Sequence, residues 1–91
     1  MAKKGERLIG FYGTECGHCH AMEPVIKQFE KETGKKIEKL EVWHNGTNAA
    51  FFEECDGGFC GGVPFFYNEK TKAKICGEAT LAELKKWAGA K

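Results

Sequence analysis

The sequence lacks an excess of charge of either sign. Its 91 residues carry 14 basic and 13 acidic side chains, a formal net charge of +1. Nucleic-acid binders usually show a strong basic excess or stripe, so this balance argues against that class. Lysines and glutamates interleave instead, as on a solvated surface. Long hydrophobic runs are also missing. None approaches the roughly 20 apolar residues needed to cross a bilayer. The opening stretch "MAKKGERLIGFYG" is basic but has no long apolar segment of the secretory kind. "WAGAK" reads as neither a retention signal nor a lipidation site. The expectation is a cytoplasmic chain without nucleic-acid or membrane partners; a processed organellar or secreted domain is the alternative. Internal repeats and low-complexity tracts are absent. The length allows one domain, residues 1–91, with a small core.

Cysteine, by contrast, is abundant. Five in a chain this short is a high count, and an odd number cannot all pair internally. In a secreted domain such a set reads as a disulfide framework. In a cytosolic one it reads as metal or redox chemistry.

The pattern along the chain alternates strand and helix. "RLIGFYG", Arg7 to Gly13, is a buried-strand candidate. Met22, Val25, Ile26 and Phe29 recur at i, i+3, i+4, i+7 and mark one helical face, with Pro24 inside it expected to kink the helix. Gly34 suits a left-handed helix end. "KIEKLEVWH" alternates like a strand, with Leu40 and Val42 on a buried face. "NGTNAAFFEEC" predicts a short helix, capped by Asn48, in which one of the adjacent Phe51 and Phe52 is exposed. "CDGGFCGG" is a glycine-rich loop; "VPFFYN", "EKTK" and "AKICG" form a hairpin. "TLAELKKWAGA" opens with Thr80-x-x-Glu83, a capping box, and presents Leu81, Leu84, Trp87 and Ala88 on one face. The first strand-helix-strand unit should be parallel and the last two strands antiparallel. The fold class is α/β, a mixed four-stranded sheet flanked by helices.

Cys16 and Cys19 stand where the long helix begins, with Gly17 and His18 between them. A helix N-terminus offers unpaired N–H groups and a partial positive charge, and both stabilise a thiolate. The second thiol lies one turn on, within reach of a disulfide with the first. Cys16 is thus the candidate attacking thiol, expected to be exposed, and Cys19, deeper in the helix, the resolving one. His18, when protonated, adds positive charge near Cys16, and Glu15 works against it. The competing reading is a zinc or iron–sulfur module. Cys16, Cys19, Cys55 and Cys60 give C-x2-C and C-x4-C spacings that structural zinc accepts. Cys55 and Cys60 read as a disulfide, as two free thiols or as a second redox pair. Cys76 reads as a small hydrophobe on a strand. His20 and His44 are expected at the surface, and Trp43 and Trp87 in packing.

"FYGTECGHC", the helix with Pro24, "GGVPFF" and "ICGEATLAELKKWA" together resemble the thioredoxin superfamily, from about Arg7 to Ala88. Cys-Gly-His-Cys resembles the active site of protein disulfide isomerase domains. The resemblance implies a thioredoxin-like fold without the extra N-terminal strand and helix. It implies thiol–disulfide oxidoreductase activity with Cys16, Gly17, His18 and Cys19 as the catalytic motif and no bound cofactor or metal. It further implies a cis Val63–Pro64 bond beside the thiols, and a substrate-facing surface of Val63, Pro64, Cys76 and Gly77. The implied partners are protein or small-molecule disulfides and dithiols, with a reductase or glutathione to recycle a monomeric enzyme. Two positions depart from the family. Glu15 stands where an aromatic is usual, and Gly10 where a buried Asp or Glu is usual. With Gly10 there, Cys19 needs water or another group such as His18 to take its proton.

Overall fold

Residues 5–89 are described by the structure, a computed structural model. Seven elements follow in the expected order: β1 (Leu8–Tyr12), α1 (Gly17–Thr33), β2 (Ile37–Glu41), α2 (Gly46–Asp56), β3 (Phe65–Asn68), β4 (Lys74–Cys76) and α3 (Leu81–Ala88). Ala90, included in the expected last helix, lies outside the described residues. The strands form one sheet in the order β2-β1-β3-β4. β1 and β2 are parallel, and the β1–β3 and β3–β4 pairs are antiparallel. No helix among the described residues is long and apolar enough to cross a membrane.

β1 is apolar throughout because both of its faces are covered. Leu8 joins Met22, Ile26 and Phe29 of α1 and Leu84 and Trp87 of α3 on one side. Ile9 and Phe11 join Cys55 and Phe65 on the other, under α2. β3 repeats the alternation, with Phe65 toward α2 and Phe66 toward α1 and α3. Phe51 and Phe52 are both half-buried, because both rings pack on Phe11, with centroids at 5.7 and 5.3 Å. The expected exposed member of that pair does not exist.

α1 starts at Gly17, earlier than its apolar face suggests, and runs through Pro24 without a break. It ends at Gly34, whose φ of 72° is the left-handed conformation expected there, with its N–H on the Glu30 carbonyl. α2 is capped by Asn45, not Asn48. The Asn45 side chain accepts from the Asn48 N–H at 2.9 Å, one of the orphan first-turn donors that an N-cap reaches. Asn48 turns its own amide to the Glu41 carbonyl. At α3 the Thr80–Glu83 capping box is formed in both directions. Trp87 is buried and donates its indole N–H to the Ala73 carbonyl, which ties α3 to the β3–β4 hairpin.

Arg7 clamps the start of β1. Its guanidinium binds both oxygens of Glu69 beyond β3, at 2.9 and 3.0 Å, and Glu38 of β2 at 2.8 Å. The Arg7 and Gly5 amides also donate to Glu69. The Arg7 hydrogen bond, opposed by burial and helped by the amides, holds the Glu69 carboxyl down at about 2. A carboxylate depressed in the folded state stabilises the fold fully above its ordinary value of about 4.5, and that contribution is lost as pH falls toward 2. Acid unfolding followed by circular dichroism should therefore be shallower between these limits in Glu69→Gln than in the wild type. An unchanged acid limb would show that the clamp does not set it.

Candidate active site

The Cys16 sulfur is the N-cap of α1. Cys16 keeps extended backbone angles, and its sulfur accepts the Cys19 N–H at 3.2 Å. An anion at that place meets an orphan amide and the positive end of the helix dipole. Cys19 sits one turn deeper, and both residues are buried, so Cys16 is not the exposed thiol expected: its sulfur lies between the Cys19 N–H and the Val63 carbonyl. Burial first, then the hydrogen bond to Cys16, pushes the Cys19 thiol up to about 12, with Gly13 backbone working in the opposite direction. The two thiols are thus neighbours but differently placed. Gly17 is exposed at the first helical position.

The loop before the helix is held from β2 and the segment after it. The Cys16 N–H bonds the Gly13 carbonyl at 3.0 Å. Glu41 collects the amides of Thr14, Trp43 and His44 and the Thr14 hydroxyl, joining the two loops. Glu15 does not face the pair alone. His44 Nε2 lies 2.7 Å from its carboxylate, and Glu15 in turn raises the pKa of His44. Trp43 is 52% exposed, so it is not core packing. Its ring lies over Gly13, where a β-carbon would fall 2.6 Å from Cε3 and closer still to other ring carbons.

Of the four residues expected at a substrate-facing surface, Val63 and Pro64 stand beside the pair, and Cys76 and Gly77 adjoin them. The Val63–Pro64 peptide is cis. The Cys16 thiol donates to the Val63 carbonyl over 3.8 Å. Gly77, at φ 89°, donates its N–H to the Pro64 carbonyl at 2.8 Å, and Cys76 pairs with Phe65. His18 is exposed, and its Nδ1 sits 2.6 Å from Glu78 Oε2. Glu78 was not legible as a site residue, because 60 positions separate it from His18. Its only signal is its place directly after Gly77.

The outer cysteines pair differently from the expected alternatives. Cys60 is bonded to Cys76, with Cα atoms 5.4 Å apart, while Cys55 is a free, buried thiol. Burial pushes Cys55 up to about 11. The reason is topological: Cys55 points from α2 into the core under β1, whereas Cys60 lies in the loop that passes the end of β4. Cys76 is therefore not the lone small hydrophobe expected on its strand. The four-thiol metal set of Cys16, Cys19, Cys55 and Cys60 is not assembled, since Cys60 is committed to Cys76. No cluster of three metal-ligating side chains occurs among the described residues.

A cavity of about 260 Å³ opens beside Cys19, lined by Gly10, Pro64, His20, Glu23 and Lys39 among others. Gly10 leaves its floor without a carboxylate. A β-carbon there would stand 3.2 Å from Ile37 Cγ2 and 3.3 Å from the Phe66 ring, so Gly10→Glu needs its neighbours to give way. His18 is not among the residues lining this cavity. The titratable groups that share it with Cys19 are Tyr12, His20, Glu23 and Lys39.

Gly13→Ala tests the contact under Trp43. Overpacking of this kind typically costs ~1–3 kcal/mol, and the ring must leave its place. The expected result is a lower unfolding midpoint with a red shift of Trp43 emission, read in a Trp87→Phe background. Emission identical to that of the parent would mean that Trp43 does not rest on Gly13.

The sequence profile of the Thioredoxin family matches residues 1–90. No curated protein matches the sequence. Among solved structures, a mutant thioredoxin from Halobacterium salinarum NRC-1 superposes with a TM-score of 0.67 at 24% identity, over 87% of this chain and 67% of that one. With that profile spanning nearly all of its length, a thiol pair at the start of α1 and this sheet order, the chain belongs to the thioredoxin family.

Proposed function

We propose that the protein is a thiol–disulfide oxidoreductase acting on protein or small-molecule disulfides through Cys16 and Cys19. The observation that carries this reading is the unequal placement of two neighbouring thiols. Cys16 caps the helix, where negative charge is stabilised, and Cys19 is held protonated by burial. The Cys16 thiolate attacks one sulfur of a substrate disulfide. A mixed disulfide forms, and the other substrate sulfur leaves as a thiolate and takes a proton. Cys19 then loses its proton and attacks the Cys16 sulfur, releasing the second substrate thiol and closing Cys16–Cys19. Reversed, the same steps oxidise a dithiol. A reductase or glutathione returns the pair to its starting state.

Val63 and Pro64 support substrate docking. An extended substrate strand passing Pro64 meets Val63 backbone beside the Cys16 sulfur, a form of strand addition. His18 sits at the rim with Glu78 and faces incoming substrate polar groups. The Cys-Gly-His-Cys motif favours protein disulfides of the kind handled by protein disulfide isomerase domains, and the protein works as a monomer in the cytoplasm.

Cys16→Ser should abolish turbidimetric insulin reduction, and Cys19→Ser should accumulate a mixed disulfide through Cys16 visible by intact mass. Normal turnover by Cys16→Ser would sink the reading.

The second step should depend on pH. Burial, the largest cause of the raised Cys19 pKa, persists in the mixed disulfide, so Cys19 is ionised in small proportion at neutral pH and in larger proportion as pH rises. Stopped-flow rates of mixed-disulfide resolution should therefore climb from about pH 6 to 9, across the unperturbed thiol range. A flat profile would show that a group lining the cavity already removes the proton.

A further inference from the structure

The disulfide that the mechanism leaves unused is Cys60–Cys76. It joins the glycine-rich loop after α2 to the last residue of β4. Cys76 is exposed and Cys60 half-buried, so the bond is not sealed in the core. Exposed disulfides are the labile ones, whereas those that only brace a fold resist reduction. The bond also stands beside the thiol site. Cys76 pairs with Phe65, two residues from the Val63 carbonyl that meets the Cys16 sulfur. Gly77, next to Cys76, donates to the Pro64 carbonyl.

The two sulfurs are held opposite each other by groups other than their own bond. Asp56 is 3% exposed, and its carboxylate accepts the Cys60 N–H at 2.6 Å and the Gly61 N–H at 2.8 Å. The Lys74 ammonium, from β4, donates to the Asp56 carbonyl at 3.1 Å and lies over the Phe59 ring. Cys76 is fixed by the β3–β4 ladder. A bond needed only to restrain the loop would duplicate these contacts. Opened, the same contacts keep the thiols in register to close again.

We propose that Cys60–Cys76 is a second redox-active pair, which accepts two electrons from the Cys16–Cys19 dithiol of another copy of this chain. This rests on the reading of Cys16–Cys19 as a dithiol donor. The donor Cys16 thiolate attacks the exposed Cys76 sulfur, forming an intermolecular disulfide. Cys60 leaves as a thiolate and takes a proton. The donor Cys19, having lost a proton, attacks Cys16, and Cys76 leaves as a thiolate and is protonated. One disulfide opens, one closes, and two electrons and two protons change copies.

The test mixes a prereduced donor, Cys60→Ser/Cys76→Ser, with an acceptor, Cys16→Ser/Cys19→Ser, in native buffer. Alkylation at intervals and peptide mass spectrometry read each thiol. Cys60 and Cys76 of the acceptor should become labelled as Cys16 and Cys19 of the donor become protected, one disulfide for one. A donor that reduces insulin but leaves Cys60–Cys76 closed overturns the proposal and spares the function proposed for Cys16–Cys19. A donor that is folded by circular dichroism and reduces neither, with wild-type protein also failing to reduce insulin, overturns both. A second measurement avoids the donor variant altogether. In wild-type protein, graded dithiothreitol should open Cys60–Cys76 with the circular dichroism spectrum unchanged, and glutathione disulfide should close it. Opening only in denaturant overturns the proposal.

Discussion

Everything at the candidate site depends on one hydrogen bond, from the Cys19 amide to the Cys16 sulfur. It makes a cysteine do the work of an N-cap, which usually falls to Ser, Thr, Asp or Asn. The helix therefore starts at the pair, and the spacing of three places the second thiol on the first turn. β1 aims the chain at this point, and α1 buries Cys19 by packing Met22, Ile26 and Phe29 against the sheet. The polar groups around it serve the same placement. Glu41 holds the loops together, and His44 lies against Glu15, so the carboxylate next to Cys16 has a cationic partner when His44 is protonated.

Much of this was legible in the sequence. Element order, sheet type, the Thr80 cap and the Gly34 stop follow from periodicity and from local chemistry that acts over three or four residues. The thiol pair was legible for the same reason. What escaped depends on contacts between distant segments. Asn45 and Asn48 both suit a cap, and only the chain path decides between them, because Asn48 finds the Glu41 carbonyl. The Cys60–Cys76 pairing needs the loop after α2 to run past the end of β4, which spacing does not encode. His18 with Glu78 is the same kind of case.

Trp43 shows how a departure from the family pattern is met from elsewhere. Glu15 occupies the usual aromatic position before the first cysteine. An indole nevertheless reaches this surface, carried by the segment between β2 and α2 and seated on Gly13. Its exposure excludes the packing role expected of it.

Gly10 has a consequence for how this chain can change over generations. Ile37 and Phe66 close on the space that a side chain there would occupy, one from each neighbouring strand. Both also belong to the main core cluster. A carboxylate at position 10 therefore requires Ile37 and Phe66 to shift by a few tenths of an ångström, and a smaller residue at 37 or 66 that relieved the contact would by itself leave a void. The neighbours of Gly10 thus oppose a buried acid there. Any improved proton acceptor for Cys19 is more accessible among the residues that already line the cavity, such as Glu23, than at position 10.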